Sequence, residues 1–127
     1  MNKRAQHTVL VVEDEWLLRM ELVDELAAAG WQTREAATGE EALLVLEREK
    51  GIDFLVTDIR LPGRVDGWGV AERFRELQAH APVIYVSANP DLEQRRVPDS
   101  VFLGKPVMIK ALLETCDQLV LSEEGRA

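Results

Sequence analysis

The chain has 127 residues, 46% of them hydrophobic and 30% charged, a formal net charge of −8 and one cysteine, Cys116. That length accommodates one domain with one core. The acidic balance argues against nucleic acid or an anionic membrane surface as partner, and a lone cysteine excludes an intramolecular disulfide or a thiolate metal cage.

The start, Met1-Asn2-Lys3-Arg4, is basic, but the apolar run that follows covers only 9–12. A signal peptide or a spanning helix needs a longer one, so a cytoplasmic location is expected. Val9-Leu10-Val11-Val12 reads as a buried strand that ends in Glu13-Asp14-Glu15. Trp16, Leu17, Met20, Val23, Leu26 and Ala27 then recur at helical spacing, which predicts a helix packed through that face and stopped by Gly30. Residues 31–36 alternate weakly, as an edge strand would. Thr38, with Glu41 three positions on, has capping-box spacing. It opens a helix with Ala42, Leu43, Val45 and Leu46 on its apolar side, closed by Lys50-Gly51.

Phe54-Leu55-Val56-Thr57-Asp58 is the central stretch, a short apolar run ending in a carboxylate. An acid delivered to the end of a buried strand is costly unless a cation or hydrogen-bond donors meet it. After the loop Leu61-Pro62-Gly63-Arg64-Val65-Asp66-Gly67, Val70, Ala71, Phe74 and Leu77 mark the buried side of a helix over 68–78. Pro82 introduces the strand Val83-Ile84-Tyr85-Val86, which ends in Ser87. Asn89-Pro90 has the form of an N-cap and first helical position. Only 91–96 can continue that helix before Val97-Pro98 closes it, so the fourth helix is expected to be short. Val101-Phe102-Leu103 is the last strand, followed by Gly104-Lys105-Pro106. A final helix over 108–121 turns Ile109, Leu112, Leu113, Cys116 and Leu119 inward. The expected domain is the whole chain, 1–127, with a core of about 8–121 and polar, fraying ends at 1–7 and 122–127.

Strand and helix alternate five times, which predicts a doubly wound α/β fold with a five-stranded parallel sheet. The expected strand order is 2-1-3-4-5, with the functional crevice at the carboxyl ends of strands 1 and 3. There Glu13, Asp14, Asp58, Ser87 and Lys105 would meet. Magnesium wants oxygen ligands and keeps several waters. Asp14 and Asp58 supply carboxylates, the backbone of Arg60 a carbonyl, and Glu13 a contact through water, because adjacent residues leaving a strand point in different directions. Without a cation the clustered carboxylates repel, and at least one pKa should rise. Asp58 can attack phosphorus to form an acyl phosphate, with Ser87 and Lys105 on the phosphoryl oxygens. Arg60, Arg64, Arg95 and Arg96 sit on loops around the crevice, where charge is ordinarily just solvated. For Trp16, Trp68 and Cys116 packing is a sufficient role.

These residues, in this order, resemble the receiver domain of response regulators in two-component signalling, over about 9–121. Glu13-Asp14 matches that family's acidic pair, Asp58 its phosphoacceptor, Ser87-Ala88 its hydroxyl-plus-small pair and Lys105-Pro106 its Lys-Pro, where the peptide bond is typically cis. Phe102 stands at its aromatic switch position, and Arg60 and Asn89 at positions flanking the path of the attacking water. The resemblance implies a flavodoxin-like fold and Mg2+ as cofactor. It implies a phosphoryl group taken onto Asp58 from a histidine kinase or histidine phosphotransfer protein, and a signal read as a changed surface by a downstream protein. Room remains for a weak homodimer. It implies no enzyme beyond self-phosphorylation from small donors and slow self-dephosphorylation, and a stand-alone receiver is expected. The chain departs from the family in Glu13, where many relatives carry Asp, in a 62–67 loop one residue longer than the commonest spacing, and in the shortened fourth helix.

Two other classes compete. A Mg2+-dependent phosphohydrolase or nuclease of the acidic-cluster kind would carry Asp-x-Asp at a strand end, but Asp58-Ile59-Arg60 has Arg at the second place. A degenerate receiver acting as a constitutive binding module would lack one of Asp14, Asp58, Ser87 or Lys105.

Overall fold

A computed structural model of the protein describes residues 6–88 and 95–124, with side chains described as far as Val120. The elements run β1 (Thr8–Val12), α1 (Trp16–Ala28), β2 (Gln32–Ala36), α2 (Gly39–Arg48), β3 (Ile52–Asp58), α3 (Gly67–Leu77), β4 (Val83–Ser87), β5 (Val101–Gly104) and α4 (Ile109–Glu124). All strand pairs are parallel and the sheet order is β2-β1-β3-β4-β5. Of the short helix expected over 91–96, residues 91–94 lie outside the described residues, and Arg95 and Arg96 are not helical. The final helix runs to Glu124, past the expected end at 121.

The three central strands are apolar through most of their length because both faces of the sheet are covered. Side chains alternate between them. Leu10, Val12, Leu55, Val83 and Tyr85 face a layer built with Ala42, Leu46, Val70, Ala71 and Phe74 of α2 and α3. Val9, Val11, Phe54, Val56, Ile84 and Val86 face Leu22, Leu26, Leu112, Cys116 and Val120 of α1 and α4. β2 and β5, at the two edges, are more exposed. Burial pushes the Cys116 thiol up to about 12, so it acts as a small apolar group. Among the described residues no helix is long and apolar enough to cross a membrane.

Local signals set the helix starts. Thr38 Oγ1 accepts the Glu41 N–H at 3.0 Å, while the Glu41 carboxylate reaches back to the N–H of Ala37 at 2.8 Å, one residue before the capping-box position. Asp66 caps α3 by accepting the Gly69 N–H at 2.9 Å. α1 has no side-chain cap at Glu15. The N-cap residue itself is held by Glu13, whose carboxylate accepts the Glu15 N–H.

The buried face of α1 differs from the expected one. Trp16 is 63% exposed and Leu17 61%, with Met20 also in solvent, whereas Leu22 and Leu26 are buried. Apolar side chains run all round the first turn, Trp16-Leu17-Leu18, so periodicity alone has no direction there. Leu77, expected inside, is exposed at the end of α3. Replacing Leu22 by Ala should therefore cost about 2–5 kcal/mol of unfolding free energy. Trp16→Ala should stay within about 0.5 kcal/mol of the parent. Urea unfolding of both variants measures this, and the reverse ranking would restore the expected face.

Candidate functional site

Register alone assembles the crevice. Val12 lies opposite Thr57, so Glu13 leaves β1 beside Asp58 at the end of β3. Asp58 lies opposite Val86, so Ser87 stands one residue beyond it on β4. Ser87 lies opposite Gly104, and the Lys105 N–H donates to the Ser87 carbonyl at 2.9 Å. The Lys105-Pro106 peptide bond is cis, as the resemblance implied. A cavity of about 220 Å³ is lined by Asp58, Arg60, Ser87, Ala88 and Lys105.

Lys105 Nζ lies 2.9 Å from Asp58 Oδ2 and 2.9 Å from Glu13 Oε1. Burial pulls its ammonium down, but the hydrogen bond to Asp58 and the close negative charge of both carboxylates outweigh that and hold its pKa above the ordinary value. Asp58 Oδ1 accepts the Ile59 N–H at 2.7 Å. Glu13 is almost fully buried. Its Oε2 accepts the Glu15 N–H at 3.0 Å, and its Oε1, although paired in distance with Lys105, makes no aligned hydrogen bond. Burial is the leading cause that raises the Glu13 pKa, with the Asp58 charge adding to it against the Glu15 N–H and Lys105. The expected rise is present, but desolvation leads it rather than crowding. Asp14 is exposed, next to this pair. One carboxylate oxygen from each of Glu13, Asp14 and Asp58 lies within 4.8 Å of the others. That all-oxygen set fits a hard divalent cation.

The loop after β3 approaches the acid closely because two glycines permit it. A Cβ on Gly67 would lie 1.9 Å from the Asp58 carbonyl oxygen, and one on Gly39 2.2 Å from that of Val65. The Gly67 N–H donates to Ile59 O at 2.7 Å, and Glu40 of α2 accepts the Arg64 N–H at 2.9 Å. The lengthened 62–67 loop is thus tucked against the start of α2.

Of the four loop arginines, Arg60 lines the crevice. Arg64 is tied through its backbone to Glu40, and Arg95 pairs with Glu72 at 2.8 Å and Asp66 at 3.4 Å. Arg96 donates to the Ser100 hydroxyl and carbonyl, and its guanidinium lies 4.9 Å from the Phe102 ring centroid. Phe102 in turn packs on Tyr85 at 5.0 Å and Trp68 at 5.9 Å. Tyr85 is fully buried, and its hydroxyl accepts the Val97 N–H at 3.1 Å. Trp68 is core, as packing alone would have it, whereas Trp16 is not. Asn89 lies outside the described residues. Sequence reasoning missed Arg19, whose Nη1 donates to the Glu13 carbonyl at 2.8 Å. Its position one helical turn after Glu15 was the available signal.

Residues 9–116 match the response regulator receiver domain. The chain belongs to that family. It is 36% identical over 111 residues to the sensor histidine kinase RcsC of Salmonella typhi, a match covering 84% of this chain and 12% of that protein. To the sensor kinase CckA of Brucella abortus (strain 2308) it is 34% identical over 122 residues, 92% of this chain and 13% of that one. The chain therefore spans a small part of the length of these relatives. The crystal structure of a response regulator receiver protein from Sinorhizobium medicae WSM419 superposes with a TM-score of 0.84 at 35% identity, covering 89% of this chain and 93% of that one. The receiver fold thus places Asp58 at the crevice where strands 1 and 3 end, which is the topological switch point of the sheet.

In this receiver, Gly67→Ala should cost about 2 kcal/mol or more, because the added methyl meets fixed backbone. Gly69→Ala, whose Cβ would meet nothing closer than 3.4 Å, should be neutral or stabilising by up to about 1 kcal/mol. Thermal unfolding of the two variants tests the pair.

Proposed function

We propose that the protein takes a phosphoryl group from a histidine kinase or histidine phosphotransfer protein onto Asp58 and signals through an altered surface. The observation that carries this is the Lys105 ammonium 2.9 Å from Asp58 Oδ2, in a crevice that also contains Ser87. Asp14, Asp58 and the backbone carbonyl of Arg60 would hold Mg2+, with Glu13 acting through water. Glu13 is already engaged by Glu15 and Lys105, while the Asp14 carboxylate is exposed. When bound, Mg2+ would neutralise charge on the carboxylates and the incoming phosphoryl oxygens.

In the transfer, an Asp58 carboxylate oxygen forms a bond to phosphorus as the bond from phosphorus to the donor's imidazole nitrogen breaks. The electron pair of that bond stays on the nitrogen. Lys105 then pairs with one phosphoryl oxygen and Ser87 hydrogen-bonds another. Lys105 must loosen its hold on Asp58 Oδ2 to do so, which couples occupancy of Asp58 to the start of α4. Phe102 is the aromatic switch in this reading. Its packing against Tyr85, Trp68 and Arg96, together with the Arg95 pairs to α3, would make residues 95–102 move as a unit.

A docking face for the donor adjoins the crevice. A groove of about 510 Å³ lies between α1 and the start of α4, lined by Glu15, Leu17, Leu18, Glu21, Lys105 and Val107. It shares Lys105 with the crevice, and the exposed Trp16 and Met108 extend its apolar surface. A helical partner with an apolar stripe would bring its phosphohistidine to Asp58 from this side.

Incubation with a small phosphodonor and Mg2+ followed by intact-mass measurement should show one phosphoryl group added to the wild type and none to Asp58→Asn. Uptake that survives in Asp58→Asn would overturn the assignment. Arg60, exposed at the lip of the crevice, should shield the acyl phosphate from water, so phosphorylated Arg60→Ala should decay faster than the parent in the same assay. Unchanged decay would mean that Arg60 does not cover it.

A further inference from the structure

Glu13 and Asp14 occupy the turn between β1 and α1, where the chain leaves the sheet after a last ladder bond at Glu13. The turn is fixed on several sides. The Glu13 N–H donates to Ala36 O at 3.1 Å, the Glu13 carboxylate accepts the Glu15 N–H, and the Glu13 carbonyl accepts Arg19 Nη1 at 2.8 Å. The Arg19 guanidinium is itself oriented, with Nε donating to Glu35 Oε1 of β2 at 3.0 Å and the side chain only 15% exposed. A partly buried cation thus ties the acidic turn to the edge strand. The planar fork presents Nε and Nη1 to the two acceptors in one fixed geometry, whereas a lysine would bring a single point charge on a flexible stem.

We propose that Arg19 is a positioning residue for the cation site, holding the Glu13-Asp14 turn so that the Asp14 carboxylate faces Asp58. This rests on the phosphoacceptor reading above. The hold acts on the peptide that joins the two acids, because the carbonyl it grips belongs to Glu13 and is bonded directly to the nitrogen of Asp14. Freeing that carbonyl releases rotation of the same peptide plane and lets Asp14, which is otherwise exposed, swing away. Outer groups that orient metal ligands commonly matter by 10–100-fold in affinity.

Charge alone makes the opposite forecast, and that separates the two roles. Arg19 is a cation close to a cation site, so if it were only a neighbour its removal would strengthen Mg2+ binding. If it positions the turn, removal weakens binding. Calorimetric Mg2+ titration of the full chain should show Arg19→Gln binding about tenfold more weakly than wild type. The charge-conserving Arg19→Lys should be weaker than wild type by a smaller factor, although a purely electrostatic role predicts no change for it. The Mg2+ concentration for half-maximal phosphorylation should rise by the same factor as the dissociation constant, with the rate at saturating Mg2+ preserved. Without metal, the amide hydrogens of Asp14 and Glu15 should exchange faster in Arg19→Gln. Wild-type or tighter Mg2+ affinity in Arg19→Gln, or unchanged affinity in Arg19→Lys, would overturn the inference. A wild type that binds no Mg2+ would instead overturn the phosphoacceptor reading, and this inference with it.

Discussion

Everything at the carboxyl edge of the sheet depends on one ammonium between two carboxylates. Lys105 Nζ sits 2.9 Å from both Glu13 and Asp58, and it is the only lysine that the structure places against them among the described residues. Two carboxylates leaving adjacent buried strands would otherwise face each other in a poorly solvated crevice, at a cost that only pairing or protonation relieves. With Asp14 beside them, three acids still face one ammonium, so the site retains a negative surplus. Under the proposed function, that surplus would receive a divalent cation and the lysine a phosphoryl oxygen. The same arrangement that is a liability for folding would then be the source of the proposed chemistry.

The surrounding fold carries this arrangement at little further cost. Its three central strands are mostly apolar and buried on both faces, so their ends are set by packing. Glycines at 39 and 67 let the long loop after β3 lie against backbone, which fixes the peptide on which Asp58 stands. On the far side of the sheet, Tyr85, Phe102 and Trp68 form a continuous aromatic contact capped by Arg96. A displacement at Ser87 or Lys105 would therefore meet a stacked unit at the β4–β5 edge, not a set of independent side chains. Packed interiors transmit such displacement because they contain few voids to absorb it.

Two surfaces then have distinct characters. The α1 and α4 side offers exposed apolar groups next to Lys105. The α3 and β5 side is knit by ion pairs from Arg95 to Asp66 and Glu72 and by Arg75 to the carbonyls of Ala81 and Pro98. Exposed pairs of this kind contribute little stability each. Their effect is to keep residues 95–98 against α3.

Much of this was legible in the amino-acid order. Apolar runs ending in Asp58, Ser87 and Lys105, with Glu13-Asp14 after the first run, determined the strands and the residues that would gather, because a parallel sheet brings all carboxyl ends to one edge. Thr38 with Glu41 determined a helix start, since capping is a local interaction. Tertiary structure decided the rest. It chose the face of α1, because a first turn apolar on every side lets the sheet select Leu22 and Leu26 and leave Trp16 in solvent. It recruited Arg19, whose bonds run to a backbone carbonyl and to another strand, and a carbonyl leaves no mark in a sequence. It stacked Phe102 on Tyr85 and Trp68, residues from three elements that meet only through β4–β5 register and the packing of α3 on the sheet. It also made burial, more than neighbouring charge, the leading cause of the raised Glu13 pKa, because desolvation depends on what closes over a side chain and not on which residue it is.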